Sequence, residues 1–79
     1  MARRVRWTRR PDGVLTRPGR CRAYVRRISR SEFWWTVEHD RVPGVVSQAK
    51  APLRSESIAK RAATAAANRC AKARVLRAR

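Results

Sequence analysis

Apolar and polar positions alternate through the middle of the chain, and this pattern predicts three β-strands over residues 21–28, 33–38 and 45–51. The segments are rich in aromatic and β-branched residues, which strands favour. Their short connections favour an antiparallel meander. In each strand one alternate set is mostly apolar and is expected to face the core: Ala23, Val25, Phe33, Trp35, Val37, Val45, Ser47 and Ala49.

The other alternate set is expected to form the opposite face of the sheet. It comprises Arg22, Tyr24, Arg26, Ile28, Trp34, Thr36, Glu38, Val46, Gln48 and Lys50. Adjacent residues of a strand point to opposite faces, so Trp34 and Trp35 cannot both enter one core. We therefore place Trp35 in the core and Trp34 on the opposite face.

The C-terminal part of the chain predicts a long helix, because no Gly or Pro interrupts it between Ser55 and Arg77. Ser55 is a suitable N-cap, and Glu56 suits the positive end of the helix dipole. Helical spacing predicts one apolar stripe: Ile58, Ala59, Ala62, Ala63, Ala66, Cys70 and Ala73, with Leu76 at its margin. We place Ala67 on the outer side. Such small side chains allow close approach to a sheet that carries larger ones.

Residues 1–20 allow two interpretations. A Pro-Asp-Gly turn between VRWT and VLT predicts a loose hairpin, whereas seven Arg among few apolar residues predict a flexible basic arm, which we favour. The predicted fold class is α+β, with a three-stranded antiparallel sheet packed on one long C-terminal helix. The predicted organisation is a basic N-terminal arm or hairpin over residues 1–20 and a βββα domain over residues 21–79.

The size and charge of the chain restrict its function. A chain of 79 residues forms one domain with a small core, which leaves little room for a catalytic cleft. Lys and Arg number 21 against five acidic residues, giving a net charge of +16 and indicating a polyanionic partner. Eighteen Arg and thirteen Ala are also what a GC-rich genome produces. That bias explains Arg over Lys but not the scarcity of acidic residues.

The remaining reactive side chains predict neither catalysis nor metal binding. Cys21 and Cys70 are interpreted as reduced thiols, and together with His39 they lack the spacing of a zinc site. No nucleophile–base arrangement is recognisable, so we expect a non-enzymatic protein without metal or cofactor. No apolar run approaches the roughly 20 residues of a membrane span. We expect a cytoplasmic protein, associated with the nucleoid or, if phage-encoded, located in the host cytoplasm.

The face that carries Trp34 has the side chains of a nucleic-acid-binding surface. Arg22, Arg26, Gln48 and Lys50 suit a sheet that enters the DNA major groove, while Trp34 and Tyr24 suit stacking on unpaired bases. In a competing interpretation, Trp34 packs under the N-terminal segment against Trp7 and Val5. The candidate nucleic-acid-binding residues are Arg3, Arg4, Arg6, Arg9, Arg10, Arg22, Tyr24, Arg26, Trp34, Gln48 and Lys50.

The order of YVRR, FWWTVEHD and SESIAKRAATAAANR resembles two families of DNA-binding domain, those of plant ethylene-response factors and the arm-binding domains of tyrosine integrases. The resemblance covers residues 22–73. It implies a sheet docked in the major groove through Arg22, Arg26, Trp34 and Lys50. The segment AKRAATAAA is also similar to the last helix of double-stranded RNA-binding domains, but residues 1–20 do not predict the helix that precedes it there.

The sequence is therefore compatible with three functions. The leading hypothesis is a small nucleic-acid-binding module, with DNA favoured over RNA, from a phage or mobile element. The main alternative is a phage-type interaction protein that binds and inhibits a host nucleoprotein complex. A ribosome-associated protein is the third, because basic tails around a small core are normal in that class.

Overall fold

The computed structural model describes residues 6–72, which form one antiparallel sheet and one helix. The elements, in chain order, are β1 (Thr8–Arg9), β2 (Leu15–Arg17), β3 (Cys21–Ser29), β4 (Glu32–His39), β5 (Val42–Gln48) and α1 (Glu56–Lys72). Neighbouring strands in sequence are neighbours in the sheet, so the sheet is a meander with β1 and β5 at its edges. The α+β class and the C-terminal helix are confirmed. The sheet has five strands where the sequence predicted three.

The two additional strands form a hairpin at the edge of β3. Its turn is the Pro-Asp-Gly segment: the Asp12 carboxylate accepts a hydrogen bond from the Val14 backbone N–H at 3.0 Å, and Gly13 has φ +89°. Leu15 then pairs with Val25, which places the hairpin in the same sheet as the predicted strands. Residues 8–17 therefore form a hairpin, which was the first of our two interpretations. The flexible arm, which we favoured, is wrong for these residues.

The three predicted strands are present with different ends. The two connections are tight turns, because Ser29 pairs with Glu32 and His39 pairs with Val42. As a result β5 starts three residues earlier than predicted and ends at Gln48. Lys50, which we placed on a strand, instead lies exposed in the connection to α1.

The core lies between α1 and the β2–β4 part of the sheet. On the sheet, Ala23, Val25 and Val37 are almost fully buried, as the alternation predicted. On the helix, the buried residues are Ala59, Ala63, Ala66, Ala67 and Cys70. Trp35 and Phe33 are half-buried and pack against this cluster, so larger side chains of the sheet meet a helix surface of small ones.

The position of the helix face differs in detail from the prediction. Ala67, assigned to the outer side, is 2% exposed, whereas Ile58, assigned to the stripe, is 49% exposed. Alanine occurs on both the buried side of α1, at Ala67, and the exposed side, at Ala65, so the sequence alone does not fix the rotation of the helix about its axis. Ala73 and Leu76 lie outside the described residues.

The faces of β5 are also partly exchanged. Val45, predicted to face the core, is 47% exposed, while Val46 packs against the core cluster. The cause is a register shift: Val37 pairs with Ser47 but the next residue, Glu38, pairs with Val45. The extra residue is a β-bulge, which moves the side chains after it relative to simple alternation.

Cys21 and Cys70 form a disulfide, so our interpretation of both as reduced thiols is wrong. Cys21 begins β3 and Cys70 lies in the last turn of α1, and both are buried. Their Cα atoms are 6.1 Å apart, within the usual range for a bonded pair. The bond joins the end of the helix to the start of the central strand. Within residues 6–72, no helix combines the length and the apolarity that crossing a membrane requires.

Candidate nucleic-acid interface

The sheet surface opposite α1 carries the polar and aromatic alternate set of the strands. The buried residues of β3 and β4 (Cys21, Ala23, Val25 and Val37) all belong to the other set, so their sequence neighbours point away from the helix. We call this surface the open face. It comprises Thr8, Thr16, Arg22, Tyr24, Arg26, Trp34, Thr36, Glu38, Val45 and Gln48.

One row of paired residues crosses the whole open face. Thr8 pairs with Thr16, Thr16 with Tyr24, Tyr24 with Thr36 and Thr36 with Gln48. The row therefore spans all five strands at the level of the tyrosine, with hydroxyl or amide groups on either side of it. The sequence prediction did not include Thr8 and Thr16, because β1 and β2 are too short to show a clear alternation.

The largest side chains of the open face are Tyr24 and Trp34, at its centre. Trp34 pairs with Arg26, next to the pair of Tyr24 with Thr36. The two aromatic residues are therefore diagonal neighbours on adjacent strands, roughly 7–8 Å apart. Both are half-buried, and Arg26 is exposed. The arrangement offers two aromatic rings and a cation at one place on the surface.

Trp34 and Trp35 lie on opposite faces, as predicted. Trp35 pairs with the buried Val25, whereas Trp34 pairs with the exposed Arg26. Trp7, which the competing interpretation placed against Trp34, packs against the core cluster instead. Val5, the other partner in that interpretation, lies outside the described residues. Packing against Trp7 therefore does not account for the position of Trp34.

The arginines of the open face are available to a ligand. Within the described part of the chain, ion pairs join Arg9 to Glu56 at 3.3 Å and Arg10 to Asp12 at 2.7 Å. Neither of the open-face arginines belongs to one of these pairs. Arg22 does pair across the strands with Glu38, which partly offsets its charge. Arg26 faces Trp34 and has no acidic residue opposite it, so it is the stronger candidate for an anion contact.

The other candidate residues are distributed over several surfaces. Arg9 lies beside the start of α1 through its contact with Glu56, and Arg10 is held at the hairpin turn by Asp12. Arg6 is exposed before β1. Arg3 and Arg4 lie outside the described residues. The fold thus brings Arg22, Tyr24, Arg26, Trp34 and Gln48 together on one face and does not bring Arg9 or Lys50 to it.

A groove of about 490 Å³ lies between the hairpin and the start of α1, and Arg26 of the open face also lines it. Leu15, Val25 and Phe33 contribute apolar surface, and Arg27 lies over the Phe33 ring at 6.0 Å from its centre. Asp12 and Glu56 also line it. These two carboxylates offset two of the three arginines that line the groove, so it is no more positive than the open face and lacks that face's pair of aromatic rings.

Comparisons of the chain with protein-family models, with curated proteins and with solved structures find no match. The resemblance to the ethylene-response-factor and integrase domains therefore stays a prediction.

Proposed function

We propose that this protein is a non-enzymatic nucleic-acid-binding module whose open face contacts the ligand. The observation that carries the proposal is the cluster of Arg26, Trp34 and Tyr24 at the centre of a sheet surface turned away from the helix. Arginine recognises phosphates and base edges, and aromatic rings stack on bases. The +16 charge of the chain supplies the long-range attraction that brings a polyanion to this surface.

The basic residues outside the open face are proposed to contact phosphates rather than bases. Arg3, Arg4 and Arg6 precede the sheet, and the exposed side of α1 carries Arg61 and Lys72. Phosphate contacts from such residues strengthen binding to every nucleic acid and carry no sequence information. DNA is the proposed ligand, and a phage or mobile element is the proposed origin.

Binding measurements with two matched variants test the role of the open face. The first variant is Arg26→Ala combined with Trp34→Ala. The second is Arg27→Ala, which removes one charge from the same strand, but beside Phe33 on the helix side. Fluorescence anisotropy with labelled DNA and RNA at two salt concentrations gives the affinities, and thermal melts check that each variant is folded.

The open-face variant should bind its best ligand about tenfold or more weakly, since stacking on one base contributes about 1–3 kcal/mol. Arg27→Ala should lose only the smaller affinity that comes with one charge. Equal losses in both variants would contradict the role of the open face. A wild-type protein that binds every nucleic acid weakly, loses that binding in salt and co-purifies at fixed stoichiometry with a host protein complex would favour the inhibitor hypothesis instead.

A further inference from the structure

We propose that the open face binds single-stranded nucleic acid, by stacking unpaired bases on Trp34 and Tyr24, in preference to the major groove of a duplex. This inference rests on the proposed function and specifies its ligand. Of the two kinds of single strand, we propose DNA as the ligand. Three features of the face carry the inference: its width, the spacing of its two rings and the position of its cations.

The sheet is too wide to enter the major groove at the level of its aromatic centre. Five strands are separated by four intervals of about 4.8 Å, which gives a width of roughly 19 Å. The major groove is about 12 Å wide and admits a helix or a two-stranded ribbon. The row from Thr8 to Gln48 crosses all five strands at Tyr24. If a duplex were placed on that row, its phosphates would contact the outer strands of the sheet first. Its base edges would then stay out of reach of Tyr24.

The two rings also have the wrong chemistry and spacing for reading a closed duplex. Base edges in the major groove are read best by bidentate side chains such as Arg, Asn and Gln, whereas Trp offers a single N–H and Tyr a single hydroxyl. Successive bases within a stacked strand are about 3.4 Å apart, whereas the diagonal positions of Tyr24 and Trp34 are roughly 7–8 Å apart. Rings carried on positions this far apart suit bases that have separated from one another, as they do in an unpaired strand.

The cations of β3 lie beside the rings, where a single strand would pass. Arg22, Tyr24 and Arg26 alternate along one strand and point to the same face. Arg26 also stands directly opposite Trp34. A strand with a base on each ring therefore has a guanidinium next to each base for its phosphates. Stacking platforms flanked by cations are how sequence-tolerant single-strand binders hold their ligands.

The test compares three labelled probes of equal length, about 16 nucleotides or base pairs: oligo(dT), oligo(U) and a mixed-sequence DNA duplex. The variants are Trp34→Phe, which keeps a ring, and Trp34→Leu, which keeps apolar volume without one. The wild type should bind the better single strand about tenfold more tightly than the duplex. Trp34→Phe should keep most of that affinity, and Trp34→Leu should lose about tenfold for single strands with little change for the duplex.

Quenching of tryptophan fluorescence on addition of the probe gives a second readout, which distinguishes stacking on Trp34 from a simple loss of stability. Oligo(dT) should quench the emission of the wild type by stacking on Trp34. In Trp34→Phe the quenching should shrink greatly while anisotropy still reports binding. Quenching that persists in this variant would place the stacking elsewhere and overturn the inference.

The outcomes separate this inference from the proposed function. Tighter binding to the duplex, with the open-face variant still defective, would overturn the single-strand inference and leave the proposed function intact. A protein that shows no saturable binding to any probe would overturn both. Tighter binding to oligo(U) than to oligo(dT), with the same pattern among the Trp34 variants, supports the inference and assigns RNA as the ligand.

Discussion

At the scale of single residues, the two adjacent tryptophans have opposite parts in the fold. Trp35 packs on the core cluster between sheet and helix, whereas Trp34 stands beside Arg26 on the open face. Truncating a ring that packs on the core removes contacts that nothing else replaces, because helix α1 contributes mainly alanine there. The core therefore depends on a few large side chains of the sheet.

We predict that Trp35→Ala lowers the free energy of unfolding by about 3 kcal/mol, the lower end for a large aromatic residue because Trp35 is only half-buried. For a domain of this size that is a decrease in Tm of more than about 10 °C. Trp34→Ala should change Tm far less. Thermal melts followed by circular dichroism measure both, and the reverse order would place Trp34 in the core.

A second residue-scale prediction concerns the true face of the helix. Ala67→Leu should force extra volume into the helix–sheet contact and lower stability by about 1–3 kcal/mol, because Ala67 is 2% exposed. Ala65→Leu is the matched control, since Ala65 lies two residues away on the exposed side. Urea denaturation gives both free energies. Equal stabilities would show that the helix is rotated from its described position.

At the scale of elements, α1 depends on the cap that the sequence indicated. The Ser55 hydroxyl oxygen accepts a hydrogen bond from the backbone N–H of Ile58 at 3.2 Å, which satisfies one of the free donors at the helix start. Glu56 follows in the first turn, where the helix dipole favours a carboxylate.

Ser55→Ala should lower the free energy of unfolding by about 1 kcal/mol, because it leaves that donor without its acceptor. Ser55→Asp should retain most of the stability, since its carboxylate accepts the same bond. Ser31→Ala, in the exposed turn between β3 and β4, is the control and should be neutral. Chemical denaturation distinguishes the three, and an unchanged Ser55→Ala variant would argue against the cap.

The elements also show which parts of the fold could be predicted from sequence. Alternation in β3 and β4 predicted the burial of Ala23, Val25 and Val37, because both strands are long and regular there. Alternation failed in β5, because a bulge there reverses the faces on which Val45 and Val46 lie. We found no residue in the strand that predicts the position of this bulge. The hairpin of β1 and β2 was the less favoured of two interpretations, because β1 is two residues long and its pairing depends on contact with β2 rather than on a pattern of its own.

The candidate site was predictable in its centre but not in its extent. Arg26 and Trp34 follow from counting alternate positions along two strands, so the sequence predicted that they would share a face. That Arg26 and Trp34 pair directly could not be predicted, because it depends on the register between β3 and β4. The location of Arg9 beside Glu56 depends on where the hairpin meets the helix, a contact between residues 47 positions apart that no local pattern encodes.

At the scale of the whole molecule, the disulfide closes most of the described chain into one loop. Cys21 and Cys70 are separated by 49 positions, and the loop between them contains β3, β4, β5 and nearly all of α1. A cross-link over so many residues restricts the unfolded chain strongly. A basic protein with a small core has particular need of such a constraint, because its own charge opposes compaction.

Reduction of this bond should lower the free energy of unfolding by about 2–4 kcal/mol. Melts with and without a dithiol reductant measure the difference, and the variant with both Cys21→Ser and Cys70→Ser should melt at a low temperature in either condition. Mass spectrometry after alkylation without reductant should find no labelled cysteine. Labelling at both positions of the folded, unreduced protein would contradict the bond.

The edges of the sheet bear on how the protein behaves at high concentration. Strand β5 is an edge strand with the sequence VPGVVSQ, in which Pro43 and Gly44 separate Val42 from Val45 and Val46 and so break what would otherwise be a β-favouring apolar run. Pro43 has no N–H to offer an incoming strand, and Gly44, at φ +84°, departs from a regular strand conformation. The opposite edge, β1, is only two residues long. The protein thus presents little straight edge on which another chain could add, so growth of the sheet by addition of a second chain is disfavoured at both edges.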